Sequence, residues 1–167
     1  MPLTIRPATR DDTAAMAELL NEIIIIGGTT AHTDPVDANT LLGWMTRYSG
    51  QSAWHVAISE RGELMGFQFL EPHPELPADT ADIASFVRAG ATGLGIGGQL
   101  FPASRAAAQV LGYAALVAVI RADNVGGLAY YSRQGFQDID RLADVTMGNG
   151  QVVDKLVKRF DLTPPTP

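Results

Sequence analysis

Cysteine is absent from this chain of 167 residues, which excludes disulfide bonds, thiolate metal sites and a cysteine nucleophile. Basic residues are few, since 12 Lys and Arg stand against 18 Asp and Glu and leave a net charge of −6. Phosphate binding draws its affinity from clustered Lys and Arg, so this balance argues against a nucleic-acid partner. The apolar runs are short, at Ile23–Ile26 and in the nearly all-apolar Ala114–Ile120. Their lengths are far below the roughly 18 residues that a membrane-spanning helix needs.

The beginning of the sequence, MPLTIRPATRDD, lacks the basic-then-apolar order of a signal peptide. We therefore expect a cytoplasmic protein without a membrane partner. Apolar residues make up 46% of the chain and charged residues 18%, which is a globular composition. The length predicts one domain over residues 1–162, followed by a flexible tail, TPPTP, at 163–167.

Hydrophobic spacing and turn residues predict an alternation of helices and strands in a mixed α/β sheet. The first helix is expected to start at the cap residue Thr9 and the second at Asp34-Pro35. Pro102 falls inside a third helix that opens at Ile96, so we expect a kink or a later helix start there. The strands are expected at 3–6, 54–59, 64–70, 80–88 and 114–120 and on both sides of 147–150, with helices ending near 27, 50, 111 and 134.

A glycine-rich stretch, ATGLGIGG, joins the strand at 80–88 to the third helix. Glycines between a strand and a helix start leave backbone N–H groups free to bind a phosphate or pyrophosphate. Gly93, Gly95 and Gly98 also fit the dinucleotide fingerprint G-x-G-x-x-G, although that fingerprint normally opens a βαβ unit. A turn that binds nothing is a further interpretation, whereas a Walker loop is excluded because no Gly-Lys-Ser/Thr follows.

Two motifs resemble those of the GNAT N-acetyltransferase superfamily. The first is Thr92-Gly-Leu-Gly-Ile-Gly97 behind the aromatic–Val pair Phe86-Val87, similar to the family's Gln/Arg-x-x-Gly-x-Gly/Ala. The second runs from Asn124 to Phe136 and is similar to the family's Asn-x-x-(small)-x-x-x-Tyr-x-x-x-Gly-Phe. The resemblance implies a single-domain α/β fold: a mixed, mostly antiparallel sheet with helices on both faces and a splayed parallel strand pair.

The resemblance also implies acetyl-CoA as co-substrate, with its pantetheine arm between the two splayed strands. The family's long Gln or Arg is Thr92 here, and we expect Arg88 to compensate for it in part. Three scattered histidines do not predict a metal site. The cofactor-binding positions carried over from the family are Phe86, Val87, Arg88, Thr92, Gly93, Leu94, Gly95, Ile96, Gly97, Gly98 and Asn124.

Acyl transfer to an amine needs a group that takes the amine proton and a group that protonates the leaving thiolate. Tyr131 matches the family tyrosine that can give this proton, although a buried packing role is the alternative. Asp82 lies where several relatives carry a glutamate, so it is the candidate base or relay to a water. Thr30, His32 and His73 lie in loops that border the acceptor site in relatives.

Within the superfamily the chain looks most like the phosphinothricin and methionine sulfoximine acetyltransferases, on I-R-P-A-T, Asp34-Pro35, T-G-L-G and A-V-I. The resemblance implies transfer of acetyl from acetyl-CoA to a primary amine of a small amino-acid-like acceptor by direct attack. A polyamine or a protein N-terminus is an alternative acceptor, and a non-catalytic acyl-CoA-binding module is an alternative of another class. Many relatives form homodimers, which we expect here as well.

Overall fold

A computed structural model describes residues 2–91 and 94–162. It contains seven strands and four α-helices, and a 3₁₀ helix at Arg10–Asp12 precedes the first of these helices. The strands are β1 (Leu3–Pro7), β2 (Ala53–Ser59), β3 (Leu64–Glu71), β4 (Thr80–Val87), β5 (Ala115–Arg121), β6 (Gln137–Thr146) and β7 (Val152–Asp161). The helices are α1 (Thr13–Ile26), α2 (Ala38–Arg47), α3 (Ile96–Val110) and α4 (Val125–Gln134).

The seven strands form one sheet in the order β1-β2-β3-β4-β5-β7-β6. Every neighbouring pair is antiparallel except β4 and β5, which are parallel. The antiparallel pairs β1–β2, β2–β3 and β3–β4 follow the chain order. Short connections at 60–63 and 72–79 join β2 to β3 and β3 to β4, whereas residues 8–52, with α1 and α2, lie between β1 and β2. The predicted mixed, mostly antiparallel sheet is confirmed.

The parallel pair separates after a short ladder. Thr80, Ala81 and Asp82 pair with Ala115, Leu116 and Val117, and the pairing stops there. Beyond that point β4 continues along β3 to Val87, while β5 continues along β7 to Arg121. The second halves of β4 and β5 therefore diverge within the sheet, as predicted for the splayed pair.

Helices cover both faces of the sheet, and adjacent residues of β2 show why. Val56 belongs to the apolar cluster with α1 and α2, whereas Ala57 belongs to a cluster with Ile96 and Leu100 of α3. Because successive side chains of a strand point to opposite faces, α1 and α2 lie on one side and α3 on the other. This arrangement confirms the predicted placement of helices.

Two helix starts differ from the predictions. Thr9 forms a capping box with Asp12, but it caps the 3₁₀ helix, and α1 itself begins at Thr13. The second helix begins at Ala38 rather than at Asp34-Pro35, because the Asp37 carboxylate accepts a hydrogen bond from the Thr40 N–H at 2.8 Å. A side-chain acceptor at the N-cap satisfies one of the free N–H groups of the first turn, which fixes the start.

Of the two alternatives predicted at Pro102, a kink or a late helix start, the late start is wrong. Helix α3 begins at Ile96 and includes Pro102 before ending at Val110. The Pro102 ring nitrogen cannot donate a hydrogen bond, so one backbone bond of this helix is missing. Leu100 and Phe101 beside it are buried, and this packing offsets the loss. Among residues 2–91 and 94–162, no helix combines the length and the apolar character that a membrane crossing requires.

Candidate active site

A cleft of about 1810 Å³ opens where β4 and β5 diverge. Its walls include the second half of β4, the outer part of β5 and the first residues of α3 and α4. The loop after α1 and the loop after β3 border one end. Because β4 and β5 are not paired here, their main-chain groups are open to the cleft. Side chains from both faces of the sheet also line it.

The N-terminus of α3 forms part of the wall of this cleft. Gly95 is the N-cap residue with a φ of 76°, a left-handed conformation that suits glycine, and the Gln99 N–H already donates to its carbonyl. Ile96, Gly97 and Gly98 therefore occupy the first turn, whose N–H groups have no acceptor within the helix. All four residues from Gly95 to Gly98 line the cleft.

Gly97 has a second role, which the sequence did not predict. A Cβ at this position would lie 2.6 Å from Cε1 of Tyr130, so only glycine leaves room for that ring. The Tyr130 hydroxyl donates to the Gly97 carbonyl at 2.9 Å. Tyr130 of α4 is thus packed directly onto the first turn of α3.

Asp82 occupies the last residue pair of the parallel ladder and lines the cleft. Burial raises the pKa of its carboxyl to about 6, with a further rise from Glu71 and opposing effects from His73 and Arg47. Opposite Asp82 on β3, Glu71 is engaged by Arg47, whose Nε donates to Oε2 at 3.0 Å and whose Nη2 donates to Oε1. Asp82 is therefore a carboxylate near neutral pH that can still accept a proton.

Tyr131 lies on the other side of β4. Its side chain is buried, and its hydroxyl is 2.7 Å from the Ser85 Oγ. Burial raises the pKa of Tyr131 well above its ordinary value, with the Ser85 hydrogen bond acting in the opposite direction. Because the strand alternates, Asp82 and Ser85 point to opposite faces, so the carboxylate and the phenol approach the cleft from its two sides.

The predicted acceptor residues lie together at the end of the cleft near Asp82. Thr30 is buried, and its Oγ1 accepts from the His32 N–H at 3.1 Å. The His32 ring stacks on Trp44 with centroids 4.9 Å apart, and burial, Arg47 and Lys155 lower its pKa. The exposed His73 also lines this end.

Most of the predicted cofactor residues line the cleft, but some do not. The Arg88 guanidinium donates to the Leu64 carbonyl at 2.9 Å and pairs with Glu22 at 3.2 Å, and Arg88 is not among the lining residues. Leu94 is 52% exposed outside the lining. Thr92 and Gly93 lie outside the described residues. The lining includes Phe86, Val87, Gly95, Ile96, Gly97, Gly98 and Asn124.

Asn124 connects two walls of the cleft. Its Oδ1 caps α4 by accepting from the Gly127 N–H at 3.0 Å, and its Nδ2 donates to the Thr29 carbonyl at 3.1 Å. A Cβ on Gly127 would lie 2.5 Å from Asn124 Nδ2, which explains the glycine in this motif. The asparagine therefore fixes the loop that carries Thr30 and His32.

The sequence prediction missed several polar residues of the cleft and its walls. Arg47 and Lys155 line the cleft near His32. Ser85 contacts Tyr131. Gln68, fully buried in β3, contacts Ser85 and Tyr130. A signal existed for Gln68, because a single amide in the otherwise apolar run LMGFQFL requires hydrogen-bond partners.

A model of the acetyltransferase (GNAT) domain matches residues 2–137, most of the chain. The chain belongs to the GNAT acetyltransferase family. The predicted enzyme class is thereby confirmed. A relative from Bacillus subtilis strain 168, YwnH, is provisionally named a phosphinothricin acetyltransferase and is 25% identical over 162 residues, covering 96% of this chain and 95% of its own. Its name supports the predicted resemblance to that group.

Solved structures show the same fold. An N-acetyltransferase from Staphylococcus aureus Mu50 is 25% identical with a TM-score of 0.87, covering 98% of this chain and 100% of its own. A phosphinothricin acetyltransferase from Sinorhizobium meliloti, solved with acetyl-CoA, is 22% identical with a TM-score of 0.86, covering 99% of this chain and 94% of its own. Within residues 2–91 and 94–162, no cluster of three or more His, Asp or Glu side chains could hold a metal ion.

Proposed function

We propose that this acetyltransferase moves the acetyl group of acetyl-CoA to a primary amine of a small amino-acid-like acceptor by direct attack. The observation that carries this proposal is the position of Asp82 and Tyr131. They stand on opposite faces of β4 beside the gap between β4 and β5. A carboxylate on the acceptor side and a protonated phenol on the other side are the two groups that the reaction needs.

The residues of the cleft fit acetyl-CoA. An extended pantetheine arm would lie along Phe86 and Val87, where β4 has no partner strand on the side of β5. Gly95, Ile96, Gly97 and Gly98 offer first-turn N–H groups to the pyrophosphate, and the helix dipole adds partial positive charge. Asn124 lies near the same path. Arg88 has no place in this proposal, because its guanidinium is held by Leu64 and Glu22.

When bound, acetyl-CoA supplies an activated thioester. Asp82 takes a proton from the acceptor ammonium, directly or through one water, so that the nitrogen lone pair is free to attack. The nitrogen–carbon bond then forms, the carbon–sulfur bond breaks, and Tyr131 holds a proton at Oη for the departing sulfur. The high pKa of Tyr131 keeps its hydroxyl protonated until that moment.

Two cations in the cleft can bind the carboxylate of an amino-acid acceptor. Arg47 and Lys155 line the cleft, and together with burial they lower the pKa of His32, which lies between α1 and α2 in the chain. Arg47 is oriented by Glu71 yet 44% exposed, so it can still bind a carboxylate. Asp82 meets the ammonium of the same molecule. The homodimer and the cytoplasmic location stay predictions.

Release of free CoA thiol from acetyl-CoA, measured against a panel of amines, tests this proposal. The panel contains methionine sulfone, methionine sulfoximine, phosphinothricin, ordinary amino acids, spermidine and a short peptide with a free N-terminus. We expect turnover with amino-acid-like compounds and a loss of roughly a hundredfold in kcat for Tyr131→Phe, with CoA binding retained. Turnover of spermidine or the peptide alone would refute the acceptor class, and full activity of Tyr131→Phe would refute the acid.

A further inference from the structure

A hydrogen-bonded chain leads from the core of the sheet to Tyr131. Gln68 is fully buried in the middle of β3, directly opposite Ser85 of β4. Its Nε2 donates to the Ser85 Oγ at 2.7 Å and to the Tyr130 Oη at 2.9 Å. The two amide hydrogens are thereby both used.

The partners of Gln68 restrict the direction of the remaining bonds. Tyr130 accepts from Gln68 and donates its own hydrogen to the Gly97 carbonyl at 2.9 Å. Ser85 accepts from Gln68, which leaves its single hydrogen for a bond elsewhere. The Tyr131 Oη, 2.7 Å away, is an acceptor within reach of that hydrogen.

We propose that Ser85, oriented by Gln68, is a positioning residue for proton transfer by Tyr131. When Ser85 donates to the Tyr131 Oη, the phenolic hydrogen cannot point at Ser85 and turns towards the cleft. The inference rests on the proposed function, in which Tyr131 protonates the departing sulfur. Asp82 is on the other face of β4 and takes no part in this chain of bonds.

The same bond stabilises the product of the step. The Tyr131 oxygen–hydrogen bond breaks and a sulfur–hydrogen bond forms, which leaves a phenolate in a buried position. The Ser85 hydroxyl keeps its proton and donates to that phenolate, a charge-assisted hydrogen bond that is stronger than the neutral one before it. Water then returns a proton to Tyr131 after the product leaves. The interaction is stronger after charge develops than before, so it lowers the barrier instead of improving ground-state binding.

A double-mutant cycle tests the inference, with Ser85→Ala, Tyr131→Phe and the combined variant. The control is Ser104→Ala, since Ser104 is a fully buried serine that lies in α3 outside this chain of bonds, whereas Ser85 is partly buried. We expect Ser85→Ala to lower kcat about tenfold, the effect of losing one hydrogen bond to a charged group. In the Tyr131→Phe background the same change should alter kcat less than about twofold. The KM for acetyl-CoA and the Kd for CoA by calorimetry should stay within about twofold of the wild type.

Each other outcome has a definite meaning. An unchanged kcat in Ser85→Ala, or an equal loss with and without the Tyr131 hydroxyl, would overturn the role of Ser85. A weakened Kd for CoA with unchanged kcat would make Ser85 a binding residue and overturn it as well. If Ser104→Ala lowers kcat and the melting temperature as Ser85→Ala does, the effect is a packing effect and the inference fails. If Tyr131→Phe is itself fully active, the failure belongs to the proposed acid.

Discussion

Asp82 and Glu71 are directly opposite each other on β4 and β3, yet they have different surroundings. The Glu71 carboxylate is bound at both oxygens by Arg47, whereas no hydrogen bond to the Asp82 carboxylate is found among the described residues. A carboxylate that is desolvated and free of such partners binds a proton more readily than one in water. These surroundings support the proposal that Asp82 is the base, while Glu71 orients Arg47.

The raised pKa of Asp82 predicts how activity depends on pH. Since the base must be ionised, kcat/KM should rise with pH through about 6 and then level off. Asp82→Asn should remove this limb and lower kcat/KM by roughly a hundredfold or more. A pH–rate profile of both proteins checks this, with Glu63→Gln in the exposed β2–β3 turn as control. A limb that persists in Asp82→Asn would exclude Asp82 as the base.

The raised pKa of Asp82 also makes the stability of the fold depend on pH, and stability falls where activity rises. A carboxyl with a pKa raised by folding stabilises the fold below its ordinary value of 3.8, and this contribution is lost as pH rises through about 6. Asp82→Asn should therefore be more stable than the wild type at pH 7, by on the order of 1–3 kcal/mol. The two should converge near pH 4. Denaturant unfolding at both values of pH measures the difference.

The sequence identifies some of these residues and not others. Asp82 and Tyr131 stand at fixed distances from motifs, so their identity can be predicted without coordinates. Ser85 cannot be found in this way, because its importance depends on Gln68, 17 residues earlier, and on Tyr131, 46 residues later. The position of Arg88 could not be foreseen either, since its partners come from α1 and β3.

Helices α3 and α4 contact each other beside the cleft through the aromatic ring of Tyr130. Tyr130 of α4 packs on Gly97 of α3 and donates a hydrogen bond to its carbonyl. This contact fixes the first turn of α3 relative to α4. The N–H groups proposed to bind pyrophosphate belong to that turn. Packing between α3 and α4 therefore determines where those N–H groups point.

Gly97→Ala tests this coupling. The new Cβ would lie 2.6 Å from Tyr130 Cε1, so the ring or the helix must shift, with a loss of about 1–3 kcal/mol in the free energy of unfolding. Gly43→Ala in α2 is the control, because a Cβ there would meet no atom within 4 Å and Gly43 does not line the cleft. We expect weaker CoA binding by calorimetry in the Gly97 variant and near-normal binding in the control. Equal behaviour of both variants would contradict the coupling.

The local sequence predicts some of the helix boundaries and not others. The C-terminal ends near Gly27 and Gly135 follow from glycine, because both residues adopt positive φ. The start of α2 depended on which of two aspartates caps it, and Asp34 and Asp37 are equivalent as residue types. The hydrogen bond that Val36 makes with Asn21 of α1 at 2.8 Å holds Pro35 and Val36 outside the helix, and this contact is tertiary.

At the scale of the whole molecule, the last strand in the sheet order is unusual. Strand β6 forms an edge of ten residues, and all of them are exposed except the half-covered Val145. Ile139 and Leu142 on this edge are 54% and 40% exposed. A long edge strand with apolar side chains presents free backbone groups and apolar surface to another chain.

The predicted homodimer should depend on this edge. Sedimentation of the wild type should give twice the monomer mass, and Ile139→Lys should shift the distribution towards the monomer. Val110→Lys is the control, because Val110 is 88% exposed at the end of α3, away from β6. A wild-type monomer at micromolar concentration would contradict the prediction. A dimer that survives Ile139→Lys would place the interface elsewhere.

The short ladder between β4 and β5 also bears on how the chain folds as it is synthesised. The strands β1 to β4 pair in chain order, so each can find its partner as soon as it leaves the ribosome. The pairs from Thr80–Ala115 to Asp82–Val117 have to wait for the later strands. We therefore expect the four strands β1 to β4 to assemble first during synthesis. The gap that forms the cleft lies at the boundary between this early part and the later part of the chain.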